Sequence, residues 1–164
     1  MKLFMKQKVF SWGDKFTVKD TEERDRYRVE GEVFSWGKKL HVYDDQGHEA
    51  AFIHQKLMSW LPRYIVDIDG REVCQIVKKF TFLRPQYELV GLPWRVEGDF
   101  WAHEYVLYDD SREIMRLSKH WFTWGDSYEL DIADDRDTLL CLCVVLAIDA
   151  AIAQERAAAS SASN

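Results

Sequence analysis

Five histidines, three cysteines and several paired aspartates are the side chains of this 164-residue chain best suited to chemistry. His41, His48, His54, His103 and His120 form neither an H-E-x-x-H pair nor a Cys/His spacing that would hold zinc, so no metal site is expected of them. Cys74, Cys141 and Cys143 are odd in number, and the latter two sit in an apolar run without C-x-x-C spacing. They are expected to be reduced core thiols of a cytoplasmic protein. Asp44-Asp45, Asp67 with Asp69, Asp109-Asp110 and Asp134-Asp135 offer carboxylates, but no EF-hand pattern frames them, and aspartate is an ordinary turn residue. There is no G-x-S-x-G, P-loop or G-x-G-x-x-G, so neither enzyme activity nor a cofactor is expected.

Binding chemistry has more to work with. Lys78, Lys79 and Arg84, with Lys56 and Arg63, offer positive charge for an anion or lipid head group, provided that the fold gathers them. The tryptophans recur: Val9-Phe10-Ser11-Trp12-Gly13, Val33-Phe34-Ser35-Trp36-Gly37, Leu57-Met58-Ser59-Trp60 and Trp121-Phe122-Thr123-Trp124-Gly125. Such strict repetition suits a structural role, in which the strands between these motifs close into a barrel and Trp12, Trp36, Trp60 and Trp124 close its ends with their indole N–H groups at the rim. The alternative is an exposed rim that touches a ligand or membrane.

These residues need elements to position them. About twelve segments alternate or are rich in β-formers, among them Leu3–Phe10, Tyr27–Val33 and Glu113–Lys119. Asp69-Gly70 between two such segments predicts a two-residue hairpin. A longer repeat overlies them. Tyr27-Arg28-Val29-Glu30-Gly31 returns as Trp94-Arg95-Val96-Glu97-Gly98, and Tyr43-Asp44-Asp45 as Tyr108-Asp109-Asp110. Residues 9–68 and 76–132 therefore read as two copies of one six-stranded unit.

The segment Leu139–Ala153, LLCLCVVLAIDAAIA, belongs to neither copy. It is too long for an ordinary strand, and as a helix it has no polar face, so protein or lipid must surround it. Ended at Ala153, a helix from Thr138 spans about 24 Å, short of the roughly 30 Å hydrocarbon core, and Asp149 adds a further cost to insertion. A helix over residues 135–155 inside the strands is expected, with Leu142, Val145, Leu146 and Ile148 fully buried and Asp149 hydrogen-bonded near the rim. The domain is expected over residues 1–156, with 157–164 a disordered tail.

The paired halves, the F-S-W-G and Y-D-D turns and the terminal LAID-type helix resemble the LURP-one-related family, in particular its short bacterial members, over about residues 1 to 155. That resemblance implies a tubby C-terminal-like fold: a closed antiparallel twelve-stranded β-barrel in two pseudo-symmetric halves around a hydrophobic C-terminal α-helix. It also implies a non-enzymatic binding or scaffold protein for a lipid head group or a protein partner. The competing expectation is a scramblase-like, membrane-acting protein whose C-terminal helix inserts. A net charge of −6 argues against a nucleic-acid partner, and charge alone does not indicate peripheral membrane contact.

Overall fold

A computed structural model describes residues 1–6, 15–32, 36–122 and 125–162. Twelve strands run in chain order: β1 (Lys2–Lys6), β2 (Lys15–Lys19), β3 (Asp25–Gly31), β4 (Lys39–Asp44), β5 (Glu49–Gln55) and β6 (Arg63–Ile68), then β7 (Arg71–Lys79), β8 (Gln86–Val90), β9 (Trp94–Asp99), β10 (Glu104–Asp109), β11 (Arg112–Phe122) and β12 (Gly125–Ile132). A single 3-10 turn, Asp135–Asp137, leads into the helix α1, Thr138–Ala162. Asp134 caps that turn by accepting a hydrogen bond from the Arg136 N–H at 3.0 Å.

All pairings are antiparallel, and each strand lies beside its chain neighbours. The first and last strands join through a five-pair ladder from Lys2↔Asp131 to Lys6↔Ser127. The strand order therefore begins at β8 and ends at β9. These two strands come together and nearly close the barrel, but no hydrogen-bonded ladder joins them among the described residues. The seam falls within the second copy of the repeated unit, where Gly91, Leu92 and Pro93 link β8 to β9.

The duplication is visible in the registers. Arg28, Val29 and Gly31 of β3 pair with Tyr43, Val42 and Leu40 of β4, while Arg95, Val96 and Gly98 of β9 pair with Tyr108, Leu107 and Tyr105 of β10. The Arg28 guanidinium lies 4.9 Å from the centre of the Tyr43 ring, and Arg95 lies 4.7 Å from that of Tyr108. Even the irregularities correspond, since the register shifts between Val42 and Tyr43 in one copy and between Leu107 and Tyr108 in the other. Asp69 and Gly70 take φ of 51° and 71°, the left-handed pair that a tight hairpin demands.

Inward-facing residues from around the sheet, including Leu3, Val29, Ile53, Val66, Ile76, Leu107, Leu117 and Leu130, form one core with α1. Leu142, Val145, Leu146 and Ile148 are completely buried, as are Cys141 and Cys143. Each such aliphatic side chain withdrawn from water contributes about 1.5–3 kcal/mol. The expected helix end is corrected. α1 continues to Ala162 because alanines 157–159 are strong helix formers, so most of the expected tail is exposed helix. At 25 residues it is about 38 Å long, so the length argument against a membrane span does not stand. By length and composition α1 is able to cross a membrane, but here most of it is buried inside the barrel.

Candidate functional site: the crown around the helix exit

An antiparallel barrel of consecutive strands sends alternate connections to opposite ends, and the two ends of this one differ in chemistry. At the first end, short turns carry Asp20, Glu22 and Glu23, then Asp44-Asp45, Asp69, Asp109-Asp110 and Asp134-Asp135. At the other end lie the longer connections β3–β4, β5–β6, β7–β8 and β9–β10, and the end of α1 emerges among them. Among the described residues, nine large apolar side chains are exposed, and eight belong to those four loops: Trp36, Leu57, Met58, Trp60, Phe80, Phe82, Leu83 and Trp101. Trp60 and Phe82 are 102% and 96% exposed, so nothing in the fold explains their hydrophobicity. This end is the crown.

The expectation that the tryptophans close the barrel ends is therefore corrected for Trp36 and Trp60, which project into solvent. Helix residues already occupy the mouth that they would have closed. Gln154 Oε1 accepts hydrogen bonds from Gln55 at 3.2 Å and from the Tyr64 hydroxyl at 2.9 Å. Glu155 pairs with Lys78 at 2.6 Å. Arg156 donates to the Trp101 carbonyl at 3.3 Å and lies 5.4 Å from the centre of its ring. Three consecutive helix residues thus hold β5 and β6, then β7, then the β9–β10 loop. Trp12 and Trp124 lie outside the described residues.

The five basic residues singled out in the sequence all reach the crown. The Lys56 N–H donates to the Arg63 carbonyl at 2.8 Å, and the Lys78 N–H to the Pro62 carbonyl at 3.0 Å, which fixes the β5–β6 and β7–β8 connections side by side. The side chains are not equivalent. Lys78 is neutralised by Glu155, Lys79 lies 3.9 Å from Glu88, and Arg63 donates to Gln75 at 2.7 Å. Lys56 and Arg84 are exposed and form no ion pair with any other described residue. Lys38 sits half-buried in the same crown, and burial lowers its ammonium to about 8.

Below the crown lies a pair that sequence reasoning missed. Asp149, 1% exposed, faces His103, with Oδ1 3.0 Å from Nδ1. A hydrogen-bond partner for Asp149 was expected, but near the rim. The carboxylate is instead fully enclosed, and burial raises its pKa against the opposing effect of His103. His103 stands in the β9–β10 loop with φ of 55°, 46 residues from Asp149, and no motif connects the two in sequence. Cys74 and Cys141 are likewise enclosed, and burial pushes both thiols to about 12, which makes them poor nucleophiles.

The geometry displays apolar side chains and the cations of Lys56 and Arg84 together on one end of the barrel. The family model for LURP-one-related proteins matches residues 1–149. The uncharacterized protein YxjI of Bacillus subtilis (strain 168) is 43% identical over 149 residues, which cover 91% of this chain and 92% of that protein. The X-ray structure of a protein from Arabidopsis thaliana shares the fold with a TM-score of 0.58 at 15% identity, over 90% of each chain.

Proposed function

The chain belongs to the LURP-one-related family, and from that premise we propose that it is a non-catalytic binding domain that docks its crown onto an anionic lipid surface from the cytoplasmic side. One observation carries this reading: among the described residues, nearly all the exposed large apolar side chains share one end of the barrel with Lys56 and Arg84. Aromatic rings favour the boundary between lipid head groups and acyl chains, and each cation near an anionic membrane contributes about 1 kcal/mol. The overall charge of −6 does not oppose docking in this orientation, because many of the acidic residues sit in turns at the far end. A protein partner is the other occupant consistent with such a crown, and it is the outcome favoured if lipid binding fails.

Sedimentation with vesicles of phosphatidylcholine, with and without phosphatidylserine, tests the proposal. The expected result is phosphatidylserine-dependent binding that is lost in the double variant Trp60→Ala/Phe82→Ala and weakened in Lys56→Glu/Arg84→Glu. Native protein that ignores phosphatidylserine at low salt would sink the lipid reading. The scramblase-like alternative requires α1 to leave the barrel and expose Leu142, Val145 and Ile148, which are now at 0% exposure. Fractionation separates the two: a docked domain is released by salt, whereas an inserted helix is released only by detergent.

A further inference from the structure

Beneath the crown, on the side of the open seam, several buried polar atoms lie without hydrogen-bond partners. Asp149 uses Oδ1 on His103, but Oδ2 has no hydrogen-bond partner. Nor do the hydroxyls of Tyr87 and Tyr105 or Oε2 of Glu155. Tyr87 belongs to β8 and Tyr105 to β10, the strands on either side of β9 at the seam. Phe100 bridges them, with its ring centre 4.9 Å from that of Tyr87 and 5.2 Å from that of Tyr105. Both phenols are held above their ordinary pKa, first by burial. The His103 N–H donates to the Phe100 carbonyl at 3.3 Å, so the residue that holds Asp149 is tied to the ring that bridges the two phenols.

A buried polar group without a partner costs about 1–3 kcal/mol, and native folds rarely leave several together unless a bound species completes them. Glu155 is already paired with Lys78, so the orphans deepest in the fold are one carboxylate oxygen and two phenol oxygens beside aromatic faces. We infer that this cluster, formed by Asp149, Tyr87, Tyr105 and Phe100, is a binding site for a primary ammonium group. Three N–H donors match the three oxygens, the positive charge matches the Asp149 carboxylate, and the rings add cation–π attraction. An anion is repelled by the same carboxylate, and a quaternary ammonium has no N–H to give. Entry is through the seam between β8 and β9, where no ladder among the described residues must be broken. The ammonium comes from either a free amine or an ethanolamine head group.

Calorimetry on the full chain with ethanolamine hydrochloride, against matched sodium chloride, tests the site. Saturable binding is expected, about tenfold or more weaker for choline chloride, which cannot donate. Asp149→Asn, which keeps a hydrogen-bonding oxygen for His103, should abolish binding. Tyr87→Phe/Tyr105→Phe removes only hydroxyls that the fold leaves unpaired, and should weaken binding several-fold in a chain that still unfolds cooperatively. Ethanolamine that behaves like sodium chloride on the native chain would overturn the inference, and so would undiminished binding in either variant. Trp60→Ala/Phe82→Ala should bind ethanolamine normally, so failed vesicle docking and failed ammonium binding are told apart. Added phosphatidylethanolamine in neutral vesicles that improves binding by the native chain but not by Asp149→Asn assigns the head group. Ethanolamine binding without that effect assigns the free amine.

Discussion

His41 stands between two carboxylates, with Nε2 2.8 Å from Glu32 and Nδ1 2.7 Å from Glu49. Burial alone would lower its pKa, but the two acidic partners outweigh that and raise it. A histidine with a raised folded pKa contributes stability that is present below its unfolded value of about 6.5 and is lost as pH rises through the folded value. The stability difference between the native chain and His41→Gln should therefore shrink from pH 6 to pH 8.5, as followed by thermal unfolding. A constant difference would mean that His41 acts by packing on Phe52 instead, 4.8 Å away. Gly98 makes a second prediction. Its φ is 145°, and a Cβ there would sit 2.4 Å from the Glu104 carbonyl oxygen. Gly98→Ala should cost about 1–3 kcal/mol, read from the urea midpoint. The R-V-E-G repeat located this glycine from sequence, because register is a local pattern. The His103–Asp149 contact was illegible, because it depends on how a loop folds over a helix 46 residues further along the chain.

Among the elements, α1 supplies the apolar residues on which the inward faces of the strands pack. Leu142→Ala should cost about 2–5 kcal/mol, the usual range for a large-to-small change in a core, as measured by denaturant unfolding. Removing residues 138–164 should leave a chain that does not unfold cooperatively. Recovery of a soluble, cooperatively unfolding fragment 1–137 would show that the sheet closes on other residues. Twelve strand segments were legible because alternation and turn residues are local signals, although edges moved: Glu113–Lys119 became Arg112–Phe122. The end of α1 was misread at Ala157, since small residues suggest fraying while alanine itself favours helix.

At the scale of the whole molecule, the barrel is polarised, with acidic turns at one end and apolar and basic loops at the other. Docking through the crown would set α1 roughly along the membrane normal. Its ionic part should weaken as added salt shortens the Debye length from about 10 Å at 0.1 M to about 3 Å at 1 M. The variant Trp60→Ala/Phe82→Ala should keep its thermal midpoint within a few degrees, because exposed side chains contribute within about 0.5 kcal/mol. A large drop would give those rings a structural role after all. This polarity was only half legible. The aspartate turns and tryptophan loops were each visible in sequence, but the regular recurrence of tryptophan argued for packing. Only the nearly closed topology, with its mouth already filled by Gln154, Glu155 and Arg156, shows that the rings have nowhere inside to go.

The placement of α1 after β12 has a consequence for the birth of the chain. Protein synthesis at about 5–20 residues per second releases every hairpin of the sheet before the segment that fills it. Until Thr138–Ile152 has emerged, the inward faces of all twelve strands, from Leu3 to Ile132, have nothing to close upon. The ladder between β1 and β12 must also wait, since its partners lie more than 120 residues apart. A nascent chain of this kind gathers its core only once α1 has emerged. A premature stop before Thr138 therefore releases twelve unfilled strands, a natural client for chaperones and proteases.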